Sequence, residues 1–245
     1  MARSGARRPV TPLVVVHRDA MLLAQAVAAR IVTAVTDAQA ARGTASIVLT
    51  GGGIGGASLR ELAAAPARDA IDWARLDVWW GDERFLPAGH PDRNETQARE
   101  ALLSQVPLDS DRVHAMAASD GVDGDDMDAA AASYADELAA APAFDVLLLG
   151  VGPDGHVASL FPGAQSLDDE RPVIPVRGAP KPPPARISLS LTAINNAREV
   201  WLIAAGEEKA ASIGNALRGP GLPAAAVRGT EATKWLLDRA AASAR

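Results

Sequence analysis

One stretch of the sequence decides the fold: FDVLLLGVGPDGH, residues Phe144–His156. Its first half, Phe144–Leu149, is a short apolar run of the kind expected for a strand that is buried on both faces. Gly150, Gly152 and Gly155 follow at once and indicate a turn. In an open parallel sheet, ligands bind beyond the carboxyl ends of the strands. The stretch therefore predicts a central strand with a candidate ligand site at its end.

Similar apolar runs recur along the chain and alternate with segments of helical periodicity. Strands are predicted at Leu13–Val16, Ile47–Leu49, Leu76–Trp80, Phe144–Leu149, Glu199–Ala204 and Thr233–Leu237. A helix capped by Asp19 is predicted after the first strand, and further helices at Ser58–Ala65, Glu95–Leu103, Asp128–Ala141 and Glu207–Leu217. Strands that alternate with helices imply right-handed βαβ units. The sequence thus predicts the α/β class, with a mostly parallel sheet and helices on both faces.

The proline-rich stretch Pro172–Pro184 interrupts this alternation. Arg186–Leu191, which follows it, alternates polar with apolar residues, so a small β insertion or edge hairpin is expected there. Residues 1–10 are predicted to form a flexible N-terminus. No linker or internal repeat divides the rest, so residues 11–245 are predicted to form a single α/β domain.

Composition limits the function. The chain contains no Cys, which excludes a disulfide framework and a thiolate nucleophile. A formal net charge of −6 argues against a nucleic-acid partner, whereas a few local cations can still bind a small anion. No uninterrupted apolar run reaches the ~20 residues of a membrane span, and the start of the chain does not resemble a secretory signal. We expect a cytoplasmic protein without a membrane partner, either a monomer or a small homo-oligomer.

The first candidate site is the glycine-rich segment Thr50–Gly56, between a predicted strand and a predicted helix. The backbone N–H groups of Gly51–Gly53 can approach a phosphate there, where the helix dipole also favours an anion. The same segment matches G-x-G-x-x-G, the dinucleotide fingerprint, for which Asp82 would be the acidic partner. A phosphate site and a dinucleotide site both remain open at this point.

Two more candidates follow predicted strands. Arg84, in the polar loop after Leu76–Trp80, can bind a phosphate through parallel N–H groups, and Asp82 can hold Arg84 or bind sugar hydroxyls. An ordinary exposed turn has the same composition. His156 lies just beyond a strand end, where a histidine can act as a general acid or base, and Asp154 can orient its ring. The zinc-protease, serine-elbow and Walker patterns are absent from the sequence, so no metal is expected, and no cofactor is expected unless the dinucleotide interpretation of Gly51–Gly56 holds.

Several segments together resemble the signatures of the 6-phosphogluconolactonase family. These are Leu147–Gly163, Trp80–Pro87, Asp92–Asn94, Lys181–Leu189 and Val200–Leu202, with Lys209 following. The similarity covers nearly the whole chain after Pro12. The resemblance implies a Rossmann-like fold and the hydrolysis of 6-phospho-D-glucono-1,5-lactone to 6-phosphogluconate in the pentose phosphate pathway, without a metal.

The resemblance also implies roles for residues. His156, with Asp154, would deprotonate the water that attacks the lactone carbonyl and then return the proton to the leaving ring oxygen. Arg84 and Lys209 would hold the phosphate, while Arg186 or the amides of Gly150–Gly155 would stabilise the oxyanion. The implied substrate-binding set is Thr50, Gly51, Gly52, Gly53, Asp82, Arg84, Gly152, Arg186 and Lys209.

Three alternatives remain. Glucosamine-6-phosphate deaminases share the fold and the Asp-Gly-His motif but carry a Glu five residues after that His, where this chain has Phe161. An apolar ring cannot transfer protons, so deamination is disfavoured. A non-catalytic sugar-phosphate sensor and a dinucleotide-binding oxidoreductase are the other two. The chain also departs from the common family pattern at Gly53-Ile54-Gly55, where many members have Ser-Thr-Pro, so that backbone amides and Thr50 are what remains for the phosphate.

Overall fold

A computed structural model describes residues 11–245, so the prediction of a flexible N-terminus lies outside the described residues. Ten strands are present in this range: β1 (Leu13–His17), β2 (Ala45–Leu49), β3 (Leu76–Trp80), β4 (Asp82–Arg84), β5 (Val113–His114), β6 (Val146–Gly150), β7 (Val173–Val176), β8 (Arg186–Leu189), β9 (Glu199–Ala204) and β10 (Ala232–Asp238). The seven α-helices of the same range are α1 (Ala20–Arg42), α2 (Gly52–Ala64), α3 (Asn94–Ala101), α4 (Met127–Ala140), α5 (Leu191–Ile194), α6 (Ala210–Arg218) and α7 (Pro223–Ala226).

Seven strands form one sheet in the order β1-β10-β9-β6-β2-β3-β5, and every neighbouring pair is parallel. This confirms the predicted α/β class. From β2 the chain proceeds outward to β3 and β5, and from β6 it proceeds to β9 and β10 in the opposite direction. The order therefore reverses between β2 and β6, and a crevice opens beyond the carboxyl ends of these two strands.

Strand β6 is apolar throughout because it is covered on both faces. Val146 and Leu148 belong to one buried cluster, together with residues of α1, α2 and α3. Leu147 and Leu149 belong to the other cluster, which includes residues of α4 and α6 and the apolar side of the small sheet. Two-sided burial is the reason that a continuous apolar run, and not an alternating one, marks this strand.

Helix α1 begins where the sequence predicts, since Asp19 accepts a hydrogen bond of 2.9 Å from the N–H of Leu22. Its predicted stripe, Leu23, Val27, Ile31 and Val35, is at most 1% exposed. Among the described residues, α1 is the one helix long and apolar enough to cross a membrane by length and composition, with a mean hydropathy of 1.4. A core helix of a globular protein can have the same length and hydropathy, and the buried stripe of α1 is what a core helix requires.

The predicted β insertion is present but larger than expected. Strands β7 and β8 pair antiparallel, and β4 joins them at the other edge of β8. The prediction of a polar loop at Gly81–Arg84 was therefore wrong for Asp82–Arg84, which forms β4. The run Asp82–Arg84 is charged throughout and lacks the apolar alternation of a strand, so only its pairing with Arg186–Ser188 shows that it is one.

Two further predictions need correction. Helix α2 begins at Gly52, six residues before the predicted start at Ser58, so most of the glycine-rich segment is helical. Glycine has a low helix propensity, which is why the sequence indicated a loop, but Ile54 and Ser58 are buried and anchor this turn. Strand β5 was not predicted, because its two residues are too few to give a pattern.

Candidate active site

The crevice between β2 and β6 contains a cavity of about 270 Å³. The segments that follow β2, β3, β6 and β9 line it, together with the first residue of β8 and the segment between β7 and β8. All nine predicted substrate-binding residues and His156 are in its wall; the full lining is Thr50, Gly51, Gly52, Gly53, Ile54, Asp82, Arg84, Asn94, Gly150, Val151, Gly152, Pro153, His156, Ala158, Lys181, Pro182, Arg186 and Lys209. Asp154 is outside this lining and contacts it through His156.

A larger groove of about 640 Å³ opens near Phe144, at the amino end of β6. Of the described residues that line it, Arg228 is the one charged side chain, and the others are mostly Ala, Leu, Pro and Asn. It contains no group that could act as an acid or a base. Chemistry is therefore expected in the smaller cavity, where the titratable side chains converge.

The turn after β6 fixes the ring of His156. Its Nδ1 is hydrogen-bonded to Oδ1 of Asp154, and its backbone carbonyl accepts a hydrogen bond of 2.9 Å from the N–H of Gly152. A Cβ at position 152 would overlap the imidazole, so this position requires glycine. On its other side, the imidazole packs against Phe161 with a centroid distance of 4.6 Å. The ring thus has one defined orientation.

Burial lowers the pKa of His156 below its usual value, and the hydrogen bond with Asp154 offsets only part of this effect. Burial, the largest single influence, acts to raise the pKa of Asp154. The hydrogen bond and the charge interaction with His156, together with backbone N–H groups, outweigh burial and leave that pKa below its usual value. At neutral pH the pair is therefore a neutral imidazole beside an ionised carboxylate. Because the carboxylate can only accept, Nδ1 carries the hydrogen, and Nε2 keeps a free lone pair.

The amino end of α2 forms another part of the wall. Gly51 precedes the helix, and the N–H groups of its first turn have no acceptor within the helix. A Cβ at Gly51 would overlap the amide of Asn94, so glycine permits this close approach, whereas the space at Gly52 and Gly53 is open. The hydroxyl of Thr50 accepts a hydrogen bond of 3.1 Å from the N–H of Gly150, which ties the two loops together.

Four cationic side chains line the cavity: Arg84, Lys181, Arg186 and Lys209. Burial lowers the pKa of Lys209, and burial lowers that of Arg186 although the neighbouring Asp82 acts to raise it. Such a concentration of positive charge, beside free helix N–H groups, suits an anionic ligand.

Buried polar side chains support this wall. Asp82, 7% exposed, accepts hydrogen bonds from the hydroxyl of Ser159 at 2.7 Å and from the amide of Asn94 at 3.3 Å. Glu83, 1% exposed, accepts from the backbone N–H groups of Arg84, Asn94 and Glu95 at 2.6 to 2.9 Å. Burial raises the pKa of Glu83 to about 7, although Arg93 and these N–H groups act to lower it.

The sequence did not single out Lys181, Asn94 or Ser159 as site residues. Each is part of a family-like segment, which was the only available signal. Their places in the site depend on contacts between distant parts of the chain, such as Asn94 with Asp82 and Ser159 with Asp82.

Comparisons with known proteins agree with the fold. Residues 18–235 match the family described as "Glucosamine-6-phosphate isomerases/6-phosphogluconolactonase". The 6-phosphogluconolactonase of Streptomyces coelicolor is 63% identical over 95% of this chain and 94% of its own length, and that of Mycobacterium tuberculosis is 48% identical over 92% and 95%. These relatives are hydrolases.

Among solved structures, the 6-phosphogluconolactonase from Trypanosoma brucei has a TM-score of 0.83 at 28% identity, covering 96% of this chain and 99% of that one. The family match extends over most of the chain, and the relatives align over nearly their full length. The chain therefore belongs to the family of glucosamine-6-phosphate isomerases and 6-phosphogluconolactonases.

Proposed function

We propose that this chain hydrolyses 6-phospho-D-glucono-1,5-lactone to 6-phosphogluconate, a step of the pentose phosphate pathway, with His156 as the base that activates water. One observation carries the proposal. Asp154 holds Nδ1 of His156, and Nε2 has no hydrogen-bond partner among the described residues, in a cavity with four cationic side chains. A neutral imidazole with a free Nε2 can accept a proton from water at neutral pH.

In the proposed reaction, Nε2 of His156 takes a proton from water while the water oxygen attacks the C1 carbonyl of the lactone. The carbonyl oxygen becomes an oxyanion, which the positive charge of the cavity favours. The bond between C1 and the ring oxygen then breaks, and Nε2 returns its proton to that oxygen. The new carboxylic acid loses its proton to solvent at neutral pH.

The phosphate supplies binding energy away from the reacting carbon. Arg84, Lys209 and the first-turn N–H groups of α2 at Gly52 and Gly53 would hold it, with Thr50, Asp82 and Arg186 completing the wall. An anchored dianion orients the carbonyl toward Nε2, which can lower the barrier by several kcal/mol. The N–H groups of Gly150, Gly152 and Gly155 already donate within the protein, so they are not free for the oxyanion.

Two alternatives fit less well. Phe161 occupies the position where deaminases carry a Glu, and it packs against His156 without offering a proton. A dinucleotide site needs an acidic side chain free to bind a ribose, whereas Asp82 already accepts from Ser159 and Asn94. Hydrolysis of a phosphorylated lactone instead uses Nε2 of His156, which has no hydrogen-bond partner among the described residues.

The test is an assay coupled to 6-phosphogluconate formation below pH 7, where spontaneous lactone hydrolysis is slow. We expect wild type to accelerate hydrolysis, and His156→Ala to lose about 100-fold or more in kcat while still binding 6-phosphogluconate. His17→Ala, at the end of edge strand β1, is the matched control and should keep full activity. Wild-type protein that binds 6-phosphogluconate without accelerating hydrolysis would be a sensor, and the enzyme proposal would fail.

A further inference from the structure

Lys181 is the one cation of the cavity wall that has no role so far. It belongs to the segment that joins β7 to β8, and it lines the cavity together with Lys209. Neither ammonium group has a hydrogen-bond or ion-pair partner among residues 11–245. Lys181 therefore reaches the cavity from the small sheet, while Lys209 reaches it from the large one.

The guanidinium of Arg186 is directed at the backbone of this same segment. Its Nη2 donates to the carbonyls of Lys181 at 3.0 Å and Pro182 at 3.4 Å, and its Nε donates to that of Pro183 at 3.1 Å. Its Nη1 faces Ser159 Oγ at 3.5 Å and Asp82 Oδ2 at 3.8 Å. Arg186 is 5% exposed, so its N–H groups are largely engaged by the protein.

The charge of Lys181 acts on both neighbours across the cavity. Burial is the main cause that lowers the pKa of His156 and that of Lys209, and the positive charge of Lys181 acts in the same direction on both. Glu208 and Asp238 offset part of the effect on Lys209. Two ammonium groups that repel each other across an open cavity are both stabilised when a dianion binds between them.

We infer that Lys181 is a further substrate-binding residue, which contacts the phosphate together with Lys209, and that Arg186 is a positioning residue, which holds the backbone of Lys181–Pro183 against the cavity. The inference rests on the proposed function for the identity of the phosphorylated ligand. Arg186 then acts through Lys181 and contributes little direct contact of its own.

The experiment measures the affinity for 6-phosphogluconate by calorimetry, and KM and kcat for the lactone, in Lys181→Met, Lys181→Arg, Arg186→Lys and the double variant Lys181→Met/Arg186→Lys. Arg177→Met is the matched control, because it removes one positive charge from the same insertion at an exposed site paired with Asp128. Circular dichroism checks that each variant is folded.

Lys181→Met should weaken 6-phosphogluconate binding and raise KM about tenfold with kcat nearly unchanged, the size expected for one charge-assisted hydrogen bond. Lys181→Arg should restore most of the affinity, and Arg177→Met should match wild type. Arg186→Lys keeps its charge but loses the multiple donors, so it should weaken 6-phosphogluconate binding to a similar extent. The double variant should bind 6-phosphogluconate no more weakly than the single variant with the lower affinity.

Unchanged affinity in Lys181→Met would overturn the inference, as would a fall in kcat at constant KM, which would place Lys181 at the reacting carbonyl. Additive losses in the double variant would overturn the positioning role of Arg186. Failure of the proposed function has a different result: wild type would not hydrolyse the lactone. The affinities of the Lys181 variants for 6-phosphogluconate would still show whether Lys181 contacts the phosphate.

Discussion

The imidazole of His156 can act as a base at Nε2 only if Nδ1 carries the hydrogen. Asp154 imposes this state, because its carboxylate accepts from Nδ1 in the described structure. Gly152 imposes the position of the ring, since any side chain there would overlap it. Three residues that are close in the sequence thus define one proton acceptor.

Asp154→Asn tests this arrangement. The amide nitrogen of Asn can donate to Nδ1, which favours the hydrogen on Nε2 and removes the lone pair that the proposed reaction needs. We expect kcat to fall about 100-fold or more and KM to change little. Steady-state kinetics measures both, and Asp168→Asn, at an exposed carboxylate outside the cavity, is the control. A variant with wild-type kcat would contradict a base whose tautomer Asp154 sets.

Glu83 shows how a buried residue links the site to pH-dependent stability. Its pKa is about 7 in the folded protein because it is buried, against an ordinary value of 4.5. The folded state therefore binds the proton more tightly than the unfolded state. The stability from this group is fully present below pH 4.5 and is lost as the pH rises through about 7.

The side chain of Gln cannot titrate, so Glu83→Gln should remove the pH-dependent part of the stability that Glu83 contributes. The difference in the free energy of unfolding between wild type and variant should change by about 3 kcal/mol from pH 4.5 to above pH 7. Urea denaturation at a series of pH values measures it. Glu100→Gln, an exposed residue of α3, is the control, and a pH-independent difference for Glu83→Gln would contradict the prediction.

At the scale of elements, the amino end of α2 explains why a segment rich in glycine becomes a helix. Gly51 lets α2 approach the amide of Asn94, which is the first residue of α3. The contact brings the first turn of α2 and the loop after β3 to one wall of the cavity. Only part of the glycine content therefore serves close packing, because Gly53 faces open space.

Gly51→Ala and Gly53→Ala should distinguish the glycine that permits close packing from the glycine that faces open space. A Cβ at position 51 overlaps Asn94, so we expect a loss of about 1–3 kcal/mol in the free energy of unfolding. A Cβ at position 53 meets nothing within 4 Å, so stability should stay constant or rise by up to about 1 kcal/mol. Chemical denaturation compares the two, and equal destabilisation would refute the difference in packing.

At the scale of the molecule, an acidic protein carries a cationic cavity. The net charge of −6 is a property of the whole chain, whereas Arg84, Lys181, Arg186 and Lys209 lie in one cavity wall. Charges beyond about 10 Å are largely screened at 0.1 M salt, so the nearby cations dominate the electrostatic potential that acts on a bound dianion.

Raising the salt concentration from about 0.1 M to 1 M should therefore lower kcat/KM for the phosphorylated lactone several-fold. The same change should leave kcat/KM for unphosphorylated glucono-1,5-lactone nearly constant, which makes it the internal control. Initial rates at low substrate concentration measure both. An increase with salt for the phosphorylated substrate would mean that the overall negative charge dominates.

The sequence by itself determined the parallel sheet, the central strand and most of the site. Two-sided burial leaves a continuous apolar run at Phe144–Leu149. In the turn that follows, Gly152 and Gly155 are required for local steric reasons, so both features can be read without the fold. Apart from Arg186, which lies in the small sheet, the predicted substrate-binding residues line one cavity because they follow strands whose carboxyl ends share one edge of the large sheet.

Only the tertiary structure decided what depends on partners far along the chain. Asp82–Arg84 becomes a strand by pairing with Arg186–Ser188, and the segment after Gly51 becomes helical because of buried contacts, against its propensity. The engagement of Arg186 with the backbone of Lys181–Pro183, like the contact of Ser159 with Asp82, arises from packing between elements. Local sequence records the preferences of each residue, whereas these contacts depend on which surfaces the sheet order brings together.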